Sequence, residues 1–221
     1  MKTVTAIAAL ALGALATRAG ADPLPPADPP PGFVDLAQIA PAILVQMRYA
    51  GAQNFMGRPV HGYAAARCWL TRPAAVALAA VAQDLAGRGL GLMVYDCYRP
   101  QRAVDDFVAW AREPDDDADP AARNRHYPAV PRAELFHRGY IALRSGHTRG
   151  STVDLTLVAL GRTPDAGAAF QEPDDCRLGS GTPTAADGSL EMGTAFDCFD
   201  ERAHADHAGI APEARRNRQL L

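Results

Sequence analysis

Cysteine and net charge are both scarce in this chain, and each scarcity excludes something. The 221 residues include four cysteines and two tryptophans, and the formal net charge is only −3. A balance so near neutral gives no electrostatic footing for nucleic acid or for an anionic membrane surface. The cysteines, Cys68, Cys97, Cys176 and Cys198, nowhere adopt the Cys-x-x-Cys spacing of a zinc knuckle. Beyond the first residues no apolar run is long enough to span a bilayer. What these exclusions leave is a chain of the length and composition of one domain with a sizeable core.

The first residues have the form of a secretory signal. Lys2 supplies a positive start, Val4 to Ala16 is a short apolar run, and Ala19-Gly20-Ala21 is a small-residue cleavage site. Residues 1–21 are therefore expected to be removed, leaving a mature chain that begins at Asp22 and is exported to the periplasm or the medium. Residues 22–32 hold six prolines and are expected to form an extended leader. Export also changes how the cysteines read, since an even number in an oxidising compartment points to disulfides. Four cysteines allow three pairings and spacing alone does not choose among them. The favoured set is Cys68 with Cys97 and Cys176 with Cys198. The second pair would close a loop of about 20 residues, an effect of about 3 kcal/mol in the chain-entropy account.

Local patterns give a coarse map of elements. Pro73 to Ala86 reads as a helix, with Thr71 able to cap it and Gly87 and Gly89 ending it. Leu90 to Tyr95 reads as a buried strand. A second helix follows, because Val104, Phe107, Val108 and Ala111 recur at helical spacing, with Pro100 suited to its first turn. Arg99 falls where strand becomes helix, a position whose free N–H groups favour anions. There an arginine can hold a substrate carboxylate or a developing oxyanion, or pair with Asp96 or Asp105. Arg112 to His126 reads as a solvated loop, Arg138 to Leu143 as a strand, and Gly161 to Gly181 as a long loop. Neither His126 nor His137 has a ligand pattern around it.

The richest stretch is Ser145-Gly146-His147-Thr148-Arg149-Gly150-Ser151-Thr152-Val153-Asp154-Leu155-Thr156-Leu157. Val153, Leu155 and Leu157 alternate with polar residues, the period of a half-buried strand. Gly150 can take a backbone conformation closed to other residues and turn the chain back on itself. A histidine on the turn and an aspartate on the strand could then converge on one cation, and both are good zinc ligands.

The pattern Ser-x-His-x-x-Gly-x-x-x-Asp running into Leu-Thr-Leu resembles the zinc signature of the VanX-like D-alanyl-D-alanine dipeptidases, with Thr152 in place of the family's usual alanine. Three further segments extend the resemblance: Tyr49 to Val60, Asp96-Cys97-Tyr98-Arg99-Pro100, and Met192 to His204. The resemblance implies an α+β fold, a single domain with an antiparallel sheet flanked by helices, over residues 33–221. It implies one Zn2+ per chain held by His147 and Asp154. It also implies an Arg99 that stabilises the transition state, a Tyr49 that lines the pocket, and an Asp197 that binds the free amino group of a D-Ala-D-Ala dipeptide. Arg102, one helical turn beyond Arg99, is expected to support the fold. The family's third ligand and catalytic base come from a C-terminal Glu-x-x-His that this sequence does not reach, so the domain reads as C-terminally incomplete. Glu134 to His137 and Glu201 to His204 share that spacing, and His204 is the stronger of the two as a substitute ligand. Taken together, these features imply a zinc-dependent D-alanyl-D-alanine dipeptidase. The alternatives are a D,D-carboxypeptidase that trims a longer peptide, and an inactive binding protein on the same fold.

Overall fold

The computed structural model describes residues 29–115, 120–162, 173–177 and 187–221. The expected signal peptide, most of the proline-rich leader and most of the long loop at 161–181 lie outside the described residues. The hub is a strand, Leu90–Asp96 (β4), that carries a neighbour on each side. Leu44–Val45 (β2) runs parallel to it along one edge, and Asp154–Ala159 (β5) runs antiparallel along the other. Alternate residues of β4 enter two cores. Leu92 and Val94 join the main one, while Met93 and Tyr95 pack with Val158 in a smaller one. A strand covered on both faces reads as an unbroken apolar run rather than as an alternation. A separate two-stranded antiparallel ribbon pairs Phe33–Asp35 (β1) with Trp69–Thr71 (β3).

Helices cover this framework. A single turn, Leu36–Ile39 (α1), follows β1 and is capped by the Asp35 carboxylate, which accepts from the Ala37 N–H. Arg72–Ala86 (α2) matches the expected first helix. Thr71 stands at its N-cap but does not cap it. Its hydroxyl lies 2.9 Å from that of Ser151 instead. Gln101–Ala111 (α3) is the second helix, and it buries Ala103, Val104, Phe107, Trp110 and Ala111 along one face. Pro100 precedes its first turn rather than lying within it, because its extended ψ of 152° turns the chain out of β4 into the helix. Arg102 braces the fold as expected, donating to the Gly62 carbonyl.

Two expected elements differ. Part of the stretch expected to be a loop is a helix, Pro120–His126 (α4), whose Ala122 and His126 are buried. Arg138–Leu143 is not a strand. Its N–H groups bond back locally, Arg138 to the Glu134 carbonyl and both Tyr140 and Ile141 to that of Leu135, and Gly139 turns through φ +79°. Those local bonds consume the donors a strand would offer a neighbour. The described chain ends in Pro212–Leu220 (α5). Among the described residues no helix is long and apolar enough to cross a membrane. Both favoured disulfides are present, Cys68–Cys97 and Cys176–Cys198.

Candidate active site

Three chain segments converge at the C-terminal end of β4. The first is β4 itself running into Cys97, Tyr98 and Arg99. The second is a short 3-10 turn, Gly146–Arg149, that carries His147. The third is the start of β5, where Asp154 stands opposite Asp96. A register shift between Val94 and Asp96 brings Asp96, rather than Tyr95, to that position. The Ser145 hydroxyl starts the turn by accepting from the His147 N–H, and Gly150 closes it in the left-handed region at φ +71°. A side chain at Gly150 is excluded twice over, since a Cβ there would fall 1.9 Å from the ring of Phe33. The expected role of Gly150 is therefore what the fold shows.

His147 is held in one orientation. Its Nδ1 lies 2.7 Å from the Cys97 carbonyl. A carbonyl only accepts, so Nδ1 carries the hydrogen and the neutral ring presents its lone pair at Nε2. That lone pair faces the Asp154 Oδ1 at 3.2 Å. Two acceptors at such a distance need a proton or a cation between them. Burial opposes a charge on His147, but the hydrogen bond and negative charge of Asp154 outweigh it, and the net effect is a raised pKa. The spacing also suits a metal, since two ligand atoms each about 2.0–2.1 Å from a tetrahedral ion stand about 3.3 Å apart.

Asp96, which sequence reasoning considered only as a partner for Arg99, is the third acidic or imidazole group of this cluster. Ligand atoms of Asp96, His147 and Asp154 all lie within 4.8 Å of one another. The carboxylate of Asp96 is nonetheless fully engaged. Its Oδ1 accepts from the Tyr63 hydroxyl at 2.8 Å, and its Oδ2 accepts from Arg99 Nε and Nη2 at 3.0 and 2.8 Å. Asp96 therefore orients Arg99 more than it offers a free ligand. Arg99 also donates through Nη2 to Asp154 Oδ2 at 3.3 Å, and its guanidinium lies over the rings of Tyr49 and Phe107. Of the expected partners Arg99 takes Asp96, and it also reaches the His147–Asp154 pair through Asp154. Asp105 takes no part and accepts from Gln101.

Tyr49 and Asp197 meet on another wall. The Tyr49 hydroxyl donates to Asp197 Oδ2 at 2.5 Å. Burial, followed by the charge of Asp154, pushes the Asp197 carboxyl up to about 6. Burial and then Asp197 hold the Tyr49 phenol well above its usual range, so it remains a donor. Asp197 is also the one non-glycine among the described residues with a positive φ, 53°. Such strain persists where the surroundings impose it, and it clusters at functional sites.

These groups line a single cavity of about 320 Å³, which contains Tyr49, Arg99, His147, Asp154 and Asp197 together. That volume is at the small end for ligand cavities, which run from about 300 to 1,000 Å³. The substitute ligands are not among its lining. Glu134 pairs with Arg138 on the surface, and His204 is exposed, stacked on Tyr140. Among the described residues neither joins a cluster able to hold a metal. The signal for Asp96 was present in its spacing, since an aspartate three residues before an arginine at a strand end is placed to orient it.

A paired histidine and aspartate, a braced arginine and a separate buried carboxylate in one small cavity are the equipment of a metallopeptidase acting on small peptides. The chain belongs to the D-ala-D-ala dipeptidase family, whose family model matches residues 30–178. It is 36% identical over 190 residues to a D-alanyl-D-alanine dipeptidase of Enterococcus faecalis (strain ATCC 700802 / V583), covering 86% of this chain and 81% of that one. It is 47% identical over 128 residues to one of Streptomyces coelicolor (strain ATCC BAA-471 / A3(2) / M145), covering 58% and 61% respectively. With one of Escherichia coli (strain K12) the identity is 32% over 189 residues, covering 86% and 73%.

Proposed function

We propose that this chain hydrolyses the dipeptide D-alanyl-D-alanine, with a zinc ion held by His147 and Asp154. The observation that carries the metal site is the 3.2 Å approach of His147 Nε2 to Asp154 Oδ1, with the Nδ1 hydrogen fixed on Cys97. When bound, zinc would polarise the scissile carbonyl and make water nucleophilic near neutral pH. Imidazole and carboxylate are donors zinc accepts readily. The carbonyl that holds Nδ1 also raises the basicity of the ligating nitrogen.

The remaining work falls to the chain's own side chains. Arg99 uses Nε and Nη2 on Asp96 and Asp154, and its Nη1 makes no bond among the described residues. A charged donor locked in place in this way can meet the oxyanion that develops on the carbonyl without having to reorganise. Asp197 supplies a charge-assisted acceptor for the substrate ammonium, and Tyr49 holds its second oxygen. This pairing makes a free N-terminus a requirement and favours a dipeptidase over a carboxypeptidase that trims longer chains. No glutamate lines the cavity among the described residues, so the general base is assigned to none of them. The two disulfides suit export to an oxidising compartment.

The test is D-alanine release from D-alanyl-D-alanine and from its N-acetyl derivative, with and without added zinc. Zinc-dependent release from the free dipeptide alone is the expected result. No release from the zinc-supplemented chain, or equal release from both substrates, would overturn the proposal.

A further inference from the structure

A dipeptide is a zwitterion, and the site described so far accounts for only one of its ends. Asp197 and Tyr49 suit the ammonium. The carboxylate needs a cation or a set of donors, and the cavity lining offers three basic side chains: Arg99, His147 and Arg144. Arg99 is bound through Nε and Nη2 to two carboxylates, and the proposed function already assigns its remaining donor to the reacting carbonyl. His147 is fixed between Cys97 and Asp154. Arg144 is different. It is exposed at the cavity wall, and among the described residues it makes no hydrogen bond, ion pair or ring contact.

The backbone beside Arg144 is anchored. Gln101, two residues beyond Arg99 at the start of α3, donates to the Leu143 carbonyl at 3.3 Å. On the other side, Ser145 is tied into the His147 turn. Arg144 therefore extends from a fixed point between the arginine-bearing and histidine-bearing segments. An extended dipeptide reaches about 7 Å end to end, which a cavity of about 320 Å³ accommodates.

We propose that Arg144 is the specificity-determining residue that captures the free C-terminal carboxylate of the dipeptide. This inference rests on the dipeptidase reading of the site. A guanidinium presents two parallel N–H donors to a carboxylate, and a lysine would offer only a point charge. The cavity then carries one dedicated counter-charge for each end of its substrate, Asp197 for the ammonium and Arg144 for the carboxylate. A peptide longer at either end, or capped at either end, forfeits one of them.

Binding separates this claim from turnover. The probes are the reduced dipeptide in which CH2–NH replaces the peptide bond, its C-terminal amide, and its N-acetyl form, titrated calorimetrically into the full chain and into Arg144→Gln and Arg144→Lys. The unmodified chain is expected to bind the free acid at least tenfold more tightly than the amide. Arg144→Gln should abolish that preference while leaving affinity for the amide unchanged, and Arg144→Lys should recover part of it. Circular dichroism checks that the variants are folded. Retention of the acid preference in Arg144→Gln would overturn the proposal. So would absence of that preference in the unmodified chain, even if discrimination against the N-acetyl form showed the ammonium site to be intact. Binding of none of the three probes would overturn the dipeptide reading itself, and this inference with it.

Discussion

Asp197→Asn should make the protein more stable and less active at the same time. The carboxyl of Asp197 sits at about 6 rather than its ordinary 3.8 because burial, and then the charge of Asp154, disfavour its ionised form. A folded-state value raised for an acid means that ionisation costs stability. The cost is absent below about pH 4, grows as pH rises toward 6, and is complete above it. At 1.36 kcal/mol per tenfold, the difference amounts to about 3 kcal/mol at pH 7. Asparagine is neutral at every pH, can still accept from Tyr49, and tolerates positive φ as aspartate does. The variant should therefore recover most of that 3 kcal/mol in urea unfolding of the metal-free chain at pH 7, and lose the gain at pH 4. The metal-free chain is the right reference because a cation would neutralise Asp154, the second source of the shift. The functional cost runs the other way. A charged hydrogen bond to the substrate ammonium is worth about 1.5–3 kcal/mol, so kcat/KM should fall roughly 10- to 150-fold. The zinc-loaded enzyme should lose kcat/KM as Asp197 takes up its proton, at a pH below the metal-free value of about 6 because the cation offsets the charge of Asp154, and the variant should lack that limb. A variant that is no more stable at pH 7, or that keeps the acid limb, would refute the reasoning.

Other outcomes follow from the same geometry. Arg99→Lys should lower turnover about 100- to 1,000-fold with zinc content by atomic absorption unchanged; loss of zinc would contradict its assignment as an oxyanion donor. Asp154→Asn should abolish stoichiometric zinc retention after dialysis, since it removes one of the two facing donors. Gly150→Ala should destabilise the fold by at least about 2 kcal/mol in thermal melts, from positive φ and overlap with Phe33 combined. Replacing Cys68 and Cys97 together by serine should cost about 3–4 kcal/mol in the chain-entropy account and also weaken zinc affinity, because Cys97 carries the carbonyl that orients His147. The matching Cys176 and Cys198 double variant should lose similar stability with zinc affinity intact.

How much of this could be read from sequence depended on whether the information was local. His147, Gly150 and Asp154 lie within eight residues, so one turn and one strand were enough to bring the two proposed ligands together. Arg99 was placed by a strand-to-helix junction that its neighbours announce. Asp96 was undervalued because its role depends on a register shift and on pairing with a strand almost 60 residues away, neither of which leaves a periodic mark. Asp197 and Tyr49 carried no signal of their own, being 148 residues apart, and only the resemblance picked them out. Arg138–Leu143 misled because its apolar residues looked like a strand, while backbone bonds to Leu135 and Glu134 decided the matter. Thr71 looked like a cap, but its hydroxyl lies against Ser151.

The end of β4 has a further consequence for how this chain can change. The Asp96 carboxylate, the Cys97 carbonyl and sulfur, and the Arg99 guanidinium are each addressed by their count from a strand fixed on both faces. Adding or removing one residue between Val94 and Arg99 would displace everything after it by about 3.3 Å, detaching the arginine, the histidine clamp and the crosslink in one event. Exchange of a single side chain there leaves the register of the others in place. In a library of insertions and deletions this short segment should therefore be a blank.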